Sequence, residues 1–227
     1  MTTRLGIAAK LGISLFGTLA TVLALSLPGS AAAGAGSGQV SDPDSPPPDK
    51  IVVDVVTVNG SGCPAGTADV KVAPDNTSFN ITYSQYVARD GGGADPIDFR
   101  KNCQINLQVH IPQGFTFAIA RADYQGFLHL KKGATSLQRA AYYFQGSSDT
   151  LYVDHPFDGP LRDDWHTVDA TPVAELVFAP CGRNVGLNIN TELRVNAGSS
   201  NARSFMAMDS TDGRVNNIFH FHWKTCH

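Results

Sequence analysis

Glutamate is almost missing from this chain: among 227 residues it occurs only at Glu175 and Glu192. Glycoside hydrolysis usually needs two carboxylates flanking the scissile bond, so at least one Asp would have to serve, and no motif selects it. Also missing are a G-x-S-x-G nucleophile elbow and an H-E-x-x-H helix. Gly91-Gly92-Gly93 lacks the following Lys and helix of a phosphate-cradling loop. No C-x-x-C pair occurs, which argues against zinc. No catalytic residue is therefore assigned, and a non-enzymatic role is the expectation.

Basic charge is also scarce. Seventeen Lys and Arg face twenty Asp and Glu, for a formal net charge of −3. Nucleic-acid binding needs clustered cations to neutralise phosphates, and anionic membranes attract polybasic segments; neither partner is expected.

Only one long run, Leu11 to Leu27, is apolar or small throughout and free of charge. Arg4 and Lys10 precede it, Pro28-Gly29 ends it, and Ala31-Ala32-Ala33 supplies small residues for signal peptidase. Residues 1–33 are read as a secretory signal peptide rather than a membrane span, because no positive charge follows the run and a cleavage site does. An Arg-Arg pair is absent and the first cysteine is Cys63, so twin-arginine export and a lipid-modified N-terminal cysteine are not expected. Loss of Arg4 and Lys10 would take the formal charge from −3 to −5. Residues 34–50, GAGSGQVSDPDSPPPDK, have little to bury and read as a disordered tether. The remainder, 51–227, is long enough for one domain with its own core.

Four cysteines, Cys63, Cys103, Cys181 and Cys226, fit two disulfides in an exported protein. Three pairings are possible; the sequential one, Cys63–Cys103 and Cys181–Cys226, is favoured. Each loop of that size is worth roughly 4 kcal/mol by chain entropy.

Hydrophobicity alternates with period two. In Cys103–Ile111, Ile105, Leu107, Val109 and Ile111 oppose Gln104, Asn106, Gln108 and His110. In Leu187–Asn196, Leu187, Ile189, Leu193 and Val195 oppose Asn188, Asn190, Glu192, Arg194 and Asn196. In Ile218–Lys224, Phe219, Phe221 and Trp223 oppose His220, His222 and Lys224. Such patterns mark strands with one buried and one wet face. Fainter strand signals lie at 51–58, 68–72, 79–87, 115–124, 127–130, 139–144, 150–153, 174–178 and 205–208. Ala134–Tyr143 also fits a helix through Leu137, Ala140 and Ala141. With turns such as Asp158-Gly159-Pro160 between short strands, the expectation is an all-β, antiparallel β-sandwich of jelly-roll or Greek-key-like type.

Several groups suggest binding. His220 and His222 share a strand face and could share a metal, with His110 or an Asp as third ligand; two surface histidines are the commoner outcome. Asp163 and Asp164, in the acidic run Asp158–Trp165, and Asp209 and Asp212, in Asp209–Gly213, are candidate calcium ligands. Neither run has the full calcium-loop spacing, and Asp-Gly runs are mostly plain turns. Trp165, Tyr142, Tyr143 and Tyr152 could stack on sugar rings, although most aromatics serve a core. Asn59, Asn76 and Asn80 head N-x-S/T sequons.

A series of strings, in order and spacing, resembles one family. They include Gly62-Cys-Pro-Ala-Gly-Thr67, Arg100-Lys-Asn-Cys-Gln-Ile-Asn-Leu107, Asp123-Tyr-Gln-Gly126, Pro180-Cys-Gly182, Leu187-Asn-Ile-Asn-Thr191, Asp209-Ser-Thr-Asp-Gly213 and Trp223-Lys-Thr-Cys226. The family is the secreted one called domain of unknown function 4360, and the resemblance runs from about Val55 to Cys226. It implies an extracellular domain with these cysteines as its framework and brings no assigned site. Because the matching strings contain Asn106, Asn188 and Asn190, these join His220, His222 and Trp165 as a candidate ligand face. The expected role is a secreted binding domain for a polysaccharide or cell-surface protein. The alternative is an extracellular hydrolase built from Asp163, Asp164, Asp209, Asp212, His220 and His222.

Overall fold

The computed structural model describes residues 45–148, 150–208 and 217–226, and these fall within one compact unit. The segments expected to be a signal peptide and most of a tether lie outside the described residues, as do Asp209 and Asp212. The described residues form twelve strands: β1 (Val52–Asn59), β2 (Ala68–Val72), β3 (Ser78–Tyr83), β4 (Val87–Asp90), β5 (Arg100–His110), β6 (Phe115–Leu130), β7 (Thr135–Phe144), β8 (Leu151–Asp158), β9 (Leu161–Ala170), β10 (Gly186–Asn196), β11 (Ser204–Ala207) and β12 (Asn217–Thr225). Among the described residues no helix is long and apolar enough to cross a membrane.

The strands form two antiparallel sheets, as the alternating pattern leads one to expect. The first runs β1-β5-β10-β7-β8; the second runs β2-β3-β12-β6-β11-β4, with β9 also paired to β6. Strands adjacent in sequence repeatedly switch sheets, which is Greek-key-like behaviour. Inward residues from both sheets make one core. Ile105, Leu107, Leu187 and Ile189 from the first sheet meet a cluster of rings from the second. Phe79 and Phe219 stack at 4.9 Å, and Phe117 meets Phe221 edge-on at 5.3 Å. The disulfides pair as favoured, Cys63–Cys103 and Cys181–Cys226, leaving no free cysteine.

The long strand β6 organises the second sheet. Residues 115–123 pair with β12 and residues 121–130 with β9, so these neighbours take opposite edges; β11 pairs with 127–129. Since β9 occupies one edge at 127–129, β11 shares the other with β12. A bulge leaves Ala120 without a partner in β12, because His220 faces Arg121 and Phe221 faces Ile119. One extra residue reverses the parity. Phe117 points inward before it, whereas Ala122, Tyr124 and Leu128 point inward after it. That reversal, with Gln125-Gly126 beyond it, makes one strand look like two in the sequence.

Three expectations are corrected. Ala134–Tyr143 is not a helix: it lies in β7, paired on both sides by β10 and β8, with Ser136, Gln138, Ala140 and Tyr142 buried. The stretch 174–178 is not a strand; a single 3-10 turn, Val173–Glu175, follows Pro172 and buries nothing. The acidic run beginning at Asp158 is largely strand β9, not a loop. A smaller shift concerns the tether. The Asn76 amide donates to the carbonyls of Pro47 (3.0 Å) and Asp49 (2.8 Å) and its oxygen accepts from the Ile51 N–H, so the packed fold starts before Ile51. These bonds consume the Asn76 side chain, which is itself buried.

Candidate functional site

The outer face of the first sheet is assembled in cross-strand rows. Thr57, Asn106, Asn188 and Tyr143 lie side by side across β1, β5, β10 and β7. The next row holds Asn59, Gln104, Asn190, Ala141 and Tyr152, the last from β8. Residues at matching positions point the same way, so the amides form a polar surface bordered by two tyrosines. The Tyr152 ring is 70% exposed. Asn106 donates to the Asn188 carbonyl oxygen at 2.9 Å. It leans over Gly186, where a Cβ would meet its amide at 2.6 Å, so glycine makes room for the pair. The side chains of Asn190 and Gln104 make no hydrogen bond among the described residues.

Most charges bordering these rows are paired. The Glu192 carboxylate is only 9% exposed and lies between Arg100 and Arg194; the Arg100 Nε donates to it at 2.6 Å. Arg139 grips Asp154 through two bonds of 2.6 Å. That fork holds the Asp154 carboxyl below the usual carboxylate range. His110 pairs with Asp54 at 2.7 Å.

The second sheet's outer face differs. Near its middle, Arg121 donates to Asp123 at 2.7 Å, and the Nε2 atoms of His166 and His220 lie 3.3 and 3.1 Å from the same carboxylate. The Arg121 hydrogen bonds hold Asp123 below the usual range despite partial burial, and the two histidines reinforce them. Further along β6 one row crosses four strands: Arg89 in β4, Phe205 in β11, His129 in β6 and Arg162 in β9. Arg89, Phe205 and His129 of this row line an open depression of about 670 Å³, together with Phe127, Lys131 and Arg203.

A third constellation is internal. The Asp169 carboxylate, 3% exposed, accepts a 2.6 Å hydrogen bond from the Tyr142 hydroxyl and lies 2.6 Å from His155 Nε2. The Tyr124 hydroxyl contacts that of Tyr142. Burial, with the Asp169 charge adding to it, pushes both phenols well above their ordinary value. This network joins β8 of one sheet to β9 of the other. No hydroxyl or thiol among the described residues hydrogen-bonds to His155.

Among the sequence candidates, Asn106, Asn188 and Asn190 lie together, but on the opposite sheet from His220 and His222. Trp165 leaves the candidate face altogether: it is 4% exposed and its indole N–H donates to the Ala207 carbonyl at 3.0 Å. Tyr142 is likewise buried. Asp163 and Asp164 are successive residues of β9, so their side chains point to opposite faces and do not chelate one ion together. Asp164 faces Phe127 whereas His220 faces Arg121, six residues away along β6, or roughly 20 Å. The expected composite of acidic residues and histidines is therefore not brought together by its described members. His110 is on the other sheet and cannot complete a site with His220 and His222. Among the described residues no cluster of three His, Cys, Asp or Glu side chains is arranged to hold a metal. Sequence reasoning missed the Asp123 cluster, the Asp169 network and the Arg89–Arg162 row.

The family model described as Domain of unknown function (DUF4360) matches residues 49–226. A protein of Arthroderma benhamiae, described as an uncharacterized secreted protein, is 36% identical over 183 residues, covering 81% of this chain and 75% of its own. With the two disulfides, this marks the chain as secreted and extracellular. The enzymatically active domain of bacteriophage CBA120 tailspike protein 4 overlaps 78% of this chain at 11% identity and a TM-score of 0.22. The GH31 alpha-xylosidase of Xanthomonas citri does so at 7% identity and a TM-score of 0.17. The chain covers 19% of each of those two structures, and likenesses this slight carry no argument.

Proposed function

The chain belongs to the family described as Domain of unknown function (DUF4360), and from that premise we propose an extracellular binding domain that holds a neutral polysaccharide on the outer face of its five-stranded sheet. The observation that carries this reading is the pair of amide rows ending in Tyr143 and Tyr152, with Tyr152 70% exposed and the charges of Glu192, Arg139 and Asp154 beside the rows already paired. Side-chain amides donate and accept together, as sugar hydroxyls do. A tyrosine ring offers an apolar face for a pyranose and keeps its hydroxyl wet. The open amides of Asn190 and Gln104 lie in the same row as Tyr152, so one chain of sugars could use all three.

The test is retention of the oxidised protein on chitin, cellulose and β-glucan. We expect retention on at least one neutral polymer, unchanged by chelator because the reading needs no metal. It should weaken about tenfold in Tyr152→Ala, which is roughly 1.4 kcal/mol. No retention on any neutral polymer, or full retention by Tyr152→Ala, would sink the reading.

A further inference from the structure

We infer that the depression on the second sheet is a separate binding site, and that it takes an acidic, uronate-bearing polysaccharide. The argument begins with which cations have partners. Arg100, Arg121, Arg139 and Arg194 each lie against a carboxylate. Arg89, Lys131, Arg162 and Arg203 have no ion pair among the described residues. These four come from separate stretches of chain: Arg89 from β4, Arg203 from just before β11, Lys131 from just after β6 and Arg162 from β9. Folding gathers them on one patch of a chain whose formal net charge is −3. Grouping unpaired like charges raises the local positive potential and concentrates anions there.

The floor between them is aromatic. Phe205 packs against Phe127 at 6.0 Å and against His129 at 5.9 Å, the histidine edge-on. In the row Arg89–Phe205–His129–Arg162 a guanidinium stands at each end of two rings. Three strand spacings separate the ends, about 14 Å. Arg203 and Lys131 lie two residues further along β11 and β6, which extends the positive edge around the depression. The field registers on His129: burial, with Lys131 and Arg162 beside it, holds its imidazole below its ordinary value. Two carboxylates lie nearby: Asp164, opposite Phe127 in the next row, and Asp98, which pairs with Lys101 at 2.7 Å and also lies in the field of Arg89; neither forms an ion pair with any of the four cations among the described residues.

Aromatic rings flanked by guanidinium forks select a ligand that is flat and apolar on one side and carries carboxylates at its edge. Arginine meets a carboxylate through two parallel hydrogen bonds, and the face of a sugar ring can cover phenylalanine. A single small anion would satisfy one fork and leave the rings bare. A neutral sugar would leave every cation unpaired. A polymer of uronate sugars answers both features, and the row extends along the direction of the strand ladder rather than closing into a pocket, as a chain-like ligand requires. This site does not depend on the neutral-glycan reading of the opposite face.

The probe is polygalacturonate, in affinity electrophoresis of the oxidised protein, with unsubstituted dextran in a parallel gel. The expected result is retardation by polygalacturonate that falls as salt rises. It should drop at least tenfold in the double variant Arg89→Gln, Arg203→Gln and in Phe205→Ala. It should be unchanged in Lys50→Gln, Lys71→Gln, which alters net charge equally at exposed positions away from the depression. Near-ultraviolet circular dichroism establishes that each variant is folded. Three results would overturn the proposal: no retardation of the unsubstituted protein, equal weakening by both charge-matched double variants, or equal retardation by dextran sulfate or anionic phospholipid vesicles. The first removes the site, the second reduces it to net charge, and the third removes its preference for sugar carboxylates. Neither the dextran gel nor Tyr152→Ala affects this outcome, so failure here and failure of the neutral-glycan reading are separable.

Discussion

The two outer faces of this sandwich spend their charges differently. On the five-stranded face, Glu192 sits between Arg100 and Arg194 and Arg139 holds Asp154, so the charges lock strands together and leave the amides as the open chemistry. On the other face Asp123 gathers Arg121, His166 and His220, but further along β6 the cations over the aromatic floor form no ion pair among the described residues. The residue types are alike; the pairing is not. A paired arginine belongs to the fold, and its removal should be felt in stability. An unpaired one adds little to stability and is free to be used by a ligand.

The largest expected effect follows from that contrast. Glu192→Ala removes a largely buried carboxylate and leaves its arginines facing one another. It should cost about 2 kcal/mol, less than a fully buried pair because the arginines are half exposed. For a domain of this size the melting temperature would fall by about 4–8 °C. Arg89→Gln and Arg203→Gln should change stability by less than about 0.5 kcal/mol, within the range of ordinary surface substitutions. Urea unfolding of the three variants checks both statements, and a comparable loss in all three would erase the distinction between the faces.

Salt sharpens the comparison next. Binding at the unpaired cations should weaken several-fold between about 0.05 and 0.5 M salt as screening shortens, whereas binding at the amide rows should change less than about twofold. Titrating each polymer at both salt concentrations reads this directly.

The smallest effect concerns acid. The carboxyl of Asp123 is held below its ordinary value of 3.8 chiefly by Arg121. A group depressed in the folded state contributes stability that is present above its unfolded value and lost as pH falls through its folded value. Asp123→Asn should therefore lower stability at neutral pH by less than about 1 kcal/mol, Arg121 being half exposed, and the difference from the parent should vanish in strong acid. Denaturant midpoints from pH 7 down to pH 2 test the sign; a difference that grows in acid would contradict it.

Much of this contrast was hidden from the sequence, and the reasons are physical. Strands β5, β10 and β12 were legible because each has an apolar side in the core and a polar side in water. Strand β9 was not. Its inward Thr167 and Asp169 are polar, and they are satisfied by Gln138, Tyr142 and His155, so alternation of hydrophobicity disappears where alternation of direction persists. The helical spacing in 134–143 was overruled by pairing on both edges of β7. Asn106, Asn188 and Asn190 stood out in the sequence because the strings that resemble the family contain them, on the polar side of strands whose other side is core. The Arg89–Arg162 row was not, because its four members come from four strands and each looks like an ordinary surface residue in its own stretch. Only the sheet order, with β11 and β9 on opposite edges of β6, brings them into line.

The central claim is that the two faces bind different things, and one paired experiment tests it most directly. Tyr152→Ala and the double variant Arg89→Gln, Arg203→Gln are each measured on a neutral glucan and on polygalacturonate. The account predicts a crossed result: the tyrosine variant loses the neutral polymer and keeps the acidic one, and the arginine variant does the reverse. Parallel losses on both polymers in either variant, or no loss in either, would contradict it.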